Sequence, residues 1–191
     1  MRTERLLLRE WRDDDLEPWV AMGRDPEVMR FFPSLVERDR AVEAMTRIRA
    51  HHAREGFGFW AVELGGTFVG FCGIGRVPFE AHFTPAVEIG WRLARSCWGH
   101  GYATEAARAA LAYGFDVVGL REIVAFLVPE NARSARVCEK LGMTRDPADD
   151  FDHPAIAEGA ISVGGAPQRR HALYRISAAR ADELSAARRS R

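Results

Sequence analysis

Residues 91–115, WRLARSCWGHGYATEAARAALAYGF, decide how the chain is read. They describe the end of a strand, a short loop and a long amphipathic helix. Ala103, Ala106, Ala107, Ala110, Leu111, Gly114 and Val118 recur at helical spacing and form a buried stripe. The loop is Trp98-Gly99-His100-Gly101-Tyr102-Ala103, and small residues at 99, 101 and 103 let its backbone approach a ligand without a side-chain clash. A helix that starts there leaves its first N–H groups unpaired at the positive end of its dipole. Together these features make an anion site, most often one for phosphate. A dinucleotide fingerprint needs a third glycine where Thr104 stands, and a Walker loop needs a lysine the loop lacks. That leaves a pyrophosphate site of another kind, or a plain glycine-rich turn from strand to helix.

Upstream, residues 59–64, Gly65-Gly66 and residues 67–74 read as a strand, a two-residue turn and a strand. Residues 86–93 form the next strand. Nearer the N-terminus, residues 6–8 read as a short strand. Asp13-Asp14-Asp15 caps a helix that runs to about Gly23, and Asp25-Pro26 breaks it. A short element then carries Val28, Met29, Phe31 and Phe32. Ser34 and Glu37 have capping-box spacing for a longer helix ending near Glu55.

Downstream, residues 123–128 are continuously apolar, as in a buried strand. Pro129-Glu130-Asn131 leads into a helix from about Ala132 to Leu141, closed by Gly142. Residues 146–165 are acidic and irregular and read as a long flap, followed by a last strand over 171–176. Hairpins and helices around one sheet predict an α+β, or mixed α/β, fold.

The 191 residues suit one domain over residues 1–177 with an Ala/Arg-rich tail at 178–191. Formal net charge is zero, so no global field favours nucleic acid or an acidic membrane. Cys72, Cys97 and Cys138 are odd in number and widely spaced, which suits a reducing compartment. With no signal peptide and no span long enough for a bilayer, a cytoplasmic location is expected. The histidines show no metal-ligand spacing, and no metal is expected.

Three segments now stand in order: Val87-Glu88-Ile89-Gly90-Trp91, then Trp98 to Ala106, then Pro129-Glu130-Asn131-Ala132-Arg133-Ser134 through Glu139-Lys140-Leu141-Gly142-Met143. In that order and spacing they resemble the GNAT superfamily of acyl-CoA-dependent N-acetyltransferases, in the branch of RimJ/RimL type. The resemblance spans about residues 3–176. It implies a mostly antiparallel sheet of six to seven strands flanked by about four helices, with acetyl-CoA as co-substrate. It places the pyrophosphate of coenzyme A on Trp98, Gly99, His100, Gly101, Tyr102, Ala103 and Thr104. The pantetheine arm would run along Ile89, Trp91, Arg92 and Leu93, against Asn131, Ser134 and Val137. Two positions depart from the family pattern. Trp98 stands where Gln or Arg is usual, and Cys138 stands where a tyrosine commonly protonates the departing thiolate. In the Rim-like branch a serine three residues after the asparagine faces the sulfur, and Ser134 matches it.

The reaction so implied is direct attack of a neutral amine on the thioester. Backbone N–H groups near Ile89 to Trp91 are the oxyanion donors, Ser134 hydrogen-bonds the leaving thiolate, and Glu88 is the first candidate base. Asp150, Asp152 and His153 in the flap are rivals that could instead attract a cationic amine. Phe31, Phe32 and Trp19 lie in the third of the chain that lines the acceptor cleft in this family. A homodimer is the default assembly. A GNAT-fold protein that binds acyl-CoA without efficient transfer is the alternative.

Overall fold

The computed structural model describes residues 1–189. Strands β1 (Leu6–Arg9), β2 (Phe59–Leu64), β3 (Thr67–Arg76), β4 (Val87–Leu93), β5 (Glu122–Leu127), β6 (Thr144–Arg145), β7 (Phe151–Asp152) and β8 (Arg170–Ser177) form one sheet. Its order is β1-β2-β3-β4-β5-β8-β6, with β7 also paired to β8. The helices are α1 (Leu16–Arg24), α2 (Arg38–Glu55), α3 (Tyr102–Asp116), α4 (Ala132–Leu141) and α5 (Ala178–Arg189). The mixed α/β expectation holds. The sheet has eight strands because the segment after α4 adds the two-residue strand β6 and the flap adds the two-residue strand β7. The tail contributes α5, whose Ala181 packs against the main core.

Every pairing is antiparallel except β4 with β5, which run parallel and meet at one register pair, Glu88 with Val124. Beyond that pair the two strands separate, and the sheet is split at its centre. Strand alternation assigns the faces. Val87, Ile89 and Leu93 of β4, with Ile123, Ala125 and Leu127 of β5, enter the main core beneath α3 and α4. The opposite face carries two smaller cores. One joins Trp11, Trp19, Val20, Met22, Met29, Ala41 and Met45 under α1 and α2; the other joins Phe83, Val124, Phe151 and Leu173. Trp11, Trp19, Phe59 and Phe71 form an aromatic layer there at centroid distances of 5.4–6.4 Å.

Helix α2 begins at Arg38 rather than at Ser34, and its N-cap is Glu37. The Val36 N–H donates to the Gly23 carbonyl at 2.8 Å, which holds this segment extended across the end of α1 and defeats the Ser34 capping box. The short element over residues 28–32 is a run of turns. The Asp13–Asp15 segment is a 3₁₀ turn, and the Asp15 carboxylate receives the Arg9 guanidinium at 2.7 and 2.8 Å and the Arg12 N–H at 2.7 Å.

The flap closes over the Phe31–Phe32 turn. Val163 N–H donates to the Phe32 carbonyl, Gly164 N–H to the Arg30 carbonyl and Gln168 Nε2 to the Phe31 carbonyl, each at 2.9 Å. No helix among the described residues is long and apolar enough to cross a membrane.

Candidate functional site

A cavity of about 840 Å³ follows the split between β4 and β5. Its walls include Glu88 to Arg92 from β4, Ala125 to Val128 from the end of β5 and just past it, and Asn131 and Ser134 at the start of α4. Its far end reaches Trp19, Phe31, Phe32 and Phe71, with His153, Gln168 and His171 from the flap side. Beyond Glu88 the β5-facing edge of β4 has no strand partner. That edge therefore presents backbone groups to the cleft, as the oxyanion role requires.

At one end of the split stands the glycine loop. Gly101 is the N-cap of α3 with φ +82°, a left-handed conformation that side-chain-bearing residues rarely adopt. The backbone N–H groups of Gly101, Tyr102, Ala103 and Thr104 donate to no acceptor among the described residues, so the donor set for an anion is present. The loop is tied to the N-terminus. Glu105 accepts from Thr3 Oγ1 at 2.6 Å, Arg5 N at 2.9 Å and Arg5 Nε at 2.7 Å, while Arg5 Nη1 donates to the His100 carbonyl at 3.0 Å. The Trp98 indole is committed elsewhere: its Nε1 donates to the Leu93 carbonyl at 2.9 Å. The Arg133 guanidinium covers its ring at 4.4 Å. Trp98 is therefore a staple of the loop, and Arg133, which the sequence reading did not single out, brings a cation beside it. The signal for Arg133 was its place in the first turn of α4, two residues after the Asn131 cap.

At α4, the Asn131 side chain accepts the Ser134 N–H at 3.2 Å, which leaves its amide NH₂ available to the cavity. The Ser134 hydroxyl has no partner among the described residues and lines the same cavity. Cys138 is fully buried, and burial pushes its thiol up to about 12, so it is inert. Ile89 and Leu93 point into the main core, as does half-buried Trp91; Ile89 and Trp91 also line the cavity and Leu93 does not. Val137 also packs on the core rather than on the cavity.

Glu88, Gly90 and Arg92 face the other way. The Phe59 ring lies against Gly90; a Cβ there would sit 3.1 Å from the ring edge and the ring would have to give by a few tenths of an ångström. Glu88 is half-buried with no hydrogen-bond or ion-pair partner among the described residues, and burial raises its carboxyl to about 7. Arg92 departs from the sequence reading. Its side chain lies on the Phe32 face of the sheet, with the guanidinium 3.9 Å from the Phe32 ring and 5.3 Å from that of Trp19. Burial lowers it to about 10.

Asp150 and Asp152 do not line the cavity. Asp150 is clamped by Arg145 and accepts the Leu173 N–H at 3.3 Å; the Arg145 hydrogen bonds hold its carboxyl below the ordinary carboxylate value against the cost of burial. Asp152 pairs with Arg169 at 3.3 Å and Arg170 at 3.4 Å. The flap reaches the cavity through His153 instead, beside His171 of β8. Their rings lie 5.2 Å apart, and burial holds both below the usual histidine value. The His171 Nδ1 lies 3.2 Å from the Arg169 carbonyl, which as an N–H donor would leave Nε2 with the lone pair.

The site is thus a split parallel strand pair followed by a helix N-terminus, with a second helix start on the cavity wall. Residues 5–144 match the model of the acetyltransferase (GNAT) domain, and the chain belongs to that family. The Bacillus subtilis protein YkkB is 36% identical over 144 residues, 74% of this chain and 83% of that one. The Aspergillus fumigatus FsC-acetyl coenzyme A-N(2)-transacetylase is 30% identical over 172 residues, 84% of this chain and 73% of that one. Among solved structures, Mycobacterium smegmatis RimJ in complex with CoA-disulfide is 27% identical with a TM-score of 0.73, covering 95% of this chain and 88% of that one.

Proposed function

We propose that this protein transfers the acetyl group of acetyl-CoA to a primary amine by direct attack. The observation that carries this reading is one cavity that joins Glu88, the free edge of β4, Asn131 and Ser134. Bound acetyl-CoA would supply an activated acyl thioester. The residues present fit that group: unpaired N–H donors at Gly101 to Thr104 suit its pyrophosphate, and the amide of Asn131 suits its amide-rich arm.

The roles then follow from this chain. Glu88, with a carboxyl near neutral, takes the proton from the ammonium form of the acceptor, directly or through water. Backbone N–H groups of β4 beyond Glu88 receive the developing negative charge on the carbonyl oxygen. The Ser134 hydroxyl, free of other partners, donates a hydrogen bond to the leaving sulfur as the C–S bond breaks. The RimJ/RimL-like branch is supported by Ser134 three residues after Asn131, with Cys138 where the tyrosine is usual, and by the likeness to RimJ.

The test pairs calorimetry with acetyl-CoA against release of free thiol in the presence of an amine panel that includes N-terminal peptides. Binding together with acceptor-dependent release is expected. Binding with no release on any amine would leave a CoA-holding domain that has lost transfer.

A further inference from the structure

Among the described residues, three buried side-chain nitrogens have no hydrogen-bond partner: Trp19 Nε1, His51 Nε2 and Arg92 Nε. All three residues line the one cavity. A buried, unsatisfied donor is costly and a buried unpaired charge more so, and native proteins rarely keep them without use. Aromatic faces cover Arg92: Phe32 at 3.9 Å, Trp19 at 5.3 Å and Phe71 at 5.6 Å. Such faces offset part of the burial but accept no in-plane N–H. No carboxylate among the described residues pairs with Arg92. Arg40, Arg47 and Arg76 also line the cavity, and Glu88 is its one lining carboxylate among the described residues. Those three arginines are exposed and paired with carboxylates outside the lining, Arg40 and Arg47 with Glu43 and Arg76 with Glu55, so Arg92 is the lining guanidinium left to accept an anion.

We propose that the acceptor is an amine that also carries a carboxylate, received by the Arg92 guanidinium and the Trp19 indole N–H while the amine lies at Glu88. Guanidinium forks match carboxylates in plane, and the aromatic wall shields the pair from water. Glu88 and Arg92 are four residues apart on one face of β4, so their Cα atoms are roughly 13 Å apart along the strand. The amine and the carboxylate accordingly belong at opposite ends of the acceptor, as in an ω-amino acid or a short peptide with a free C-terminus. This deepens the transferase reading and rests on it for the placement of the amine.

The experiment compares 6-aminohexanoate with its amide, and the dipeptide Ala-Phe with its C-terminal amide, on the CoA-loaded protein. Calorimetry reads binding and thiol release from acetyl-CoA reads turnover. Each carboxylate is expected to bind at least tenfold tighter than its amide and to show the same ratio in kcat/KM. Arg92→Gln should bring both ratios close to one. Arg92→Lys should keep part of the preference, and Trp19→Phe should lower it about threefold while retaining the ring. Arg92→Met should raise the unliganded Tm if the charge is kept for a ligand, whereas a lowered Tm would assign Arg92 to structure. The two carboxylates separate the ω-amino acid from the peptide as the better acceptor chemistry. Ratios within twofold in the wild type, ratios that survive Arg92→Gln, or faster turnover of spermidine than of either carboxylate would overturn the proposal. Arg92-dependent binding of the carboxylates without thiol release would support it and count against transfer instead.

Discussion

Glu88 meets the two demands on a general base at neutral pH: it lines the cavity, and burial has raised its carboxyl to about 7. Activity against an amine should therefore rise with pH through a limb near 7. Glu88→Gln should remove that limb and lower kcat about 10²–10⁴-fold, the usual contribution of positioned proton transfer. The same shift has a stability consequence of opposite direction. The folded carboxyl binds its proton more tightly than the unfolded one, whose value is near 4.5, so stability declines as pH climbs from there to about 7. Glu88→Gln should flatten that decline in urea titrations at pH 5 and pH 8. Ser134→Ala should lower kcat roughly tenfold or more with little change in Kd for acetyl-CoA; a kcat within twofold of wild type would remove Ser134 from the reaction. How much of this was legible differs by residue. Alternation along β4 groups Glu88 with Arg92, and the Asn131–Ser134 spacing was readable from residues three apart. The burial of Arg92 was not readable, because its covering rings, Trp19 and Phe32, come from the first third of the chain and meet it only in the folded sheet. That Asp150 and Asp152 lie off the cavity is not legible, because an acidic run looks alike whether it faces a substrate or local arginines, and here Arg145, Arg169 and Arg170 occupy it.

At the scale of elements, the N-terminus of α3 is held in place from outside. Glu105 gathers Thr3, Arg5 N and the Arg5 guanidinium, and Arg5 also holds the His100 carbonyl, so β1 steadies the glycine loop. Glu105→Ala should cost about 1–3 kcal/mol of stability and weaken CoA binding about tenfold by loosening the loop, as measured by calorimetry. The α1 end of the sheet depends on a second ionic knot. Asp15 is 2% exposed, takes two hydrogen bonds from Arg9, and shares Arg9 with Glu63 at 2.7 Å. Burial alone would raise the Asp15 carboxyl, but hydrogen bonds from Arg9 and the Arg12 backbone outweigh it and hold the carboxyl below its ordinary value. Its contribution is therefore present above about pH 4 and is lost as pH falls through the depressed folded value. Asp15→Asn should cost about 3–5 kcal/mol at pH 7, and the difference from wild type should shrink in acid denaturation below pH 4. Elements with complete local signals were read closely: α4 starts after the Asn131 cap and ends at Gly142, and β2 occupies the residues its hairpin pattern predicted. Helix α2 was misplaced at its start because the deciding hydrogen bond, Val36 to Gly23, joins two segments rather than lying within one.

For the whole molecule, the split between β4 and β5 is the feature least visible in the sequence. Both strands have apolar residues on the core face, and nothing in their composition says that pairing stops at Glu88 and Val124. Past that pair β4 runs on to the Arg95–Cys97 turn that leads to the glycine loop, while β5 leads into Val128 and the α4 cap. A sheet parted at its middle leaves unpaired backbone edges facing each other, and a ligand that fills the split replaces the missing ladder. CoA should therefore stabilise the molecule as a unit rather than one lobe of it. At a free concentration one hundred times Kd, binding to the native state alone adds about 2.7 kcal/mol. A chain of this size gains about 2–4 °C per kcal/mol, so Tm should rise by about 5–10 °C. Hydrogen exchange should slow together at β4, β5 and the starts of α3 and α4. Gly101→Val provides the control, because a β-branched residue is strained at φ +82° and would displace the N–H donors at the head of α3. The variant should keep its sheet but lose most of the CoA-dependent rise in Tm. A full rise in Gly101→Val would mean that the split is bridged without the glycine loop, and the site would then have to be built from Asn131, Ser134 and the β4 edge alone.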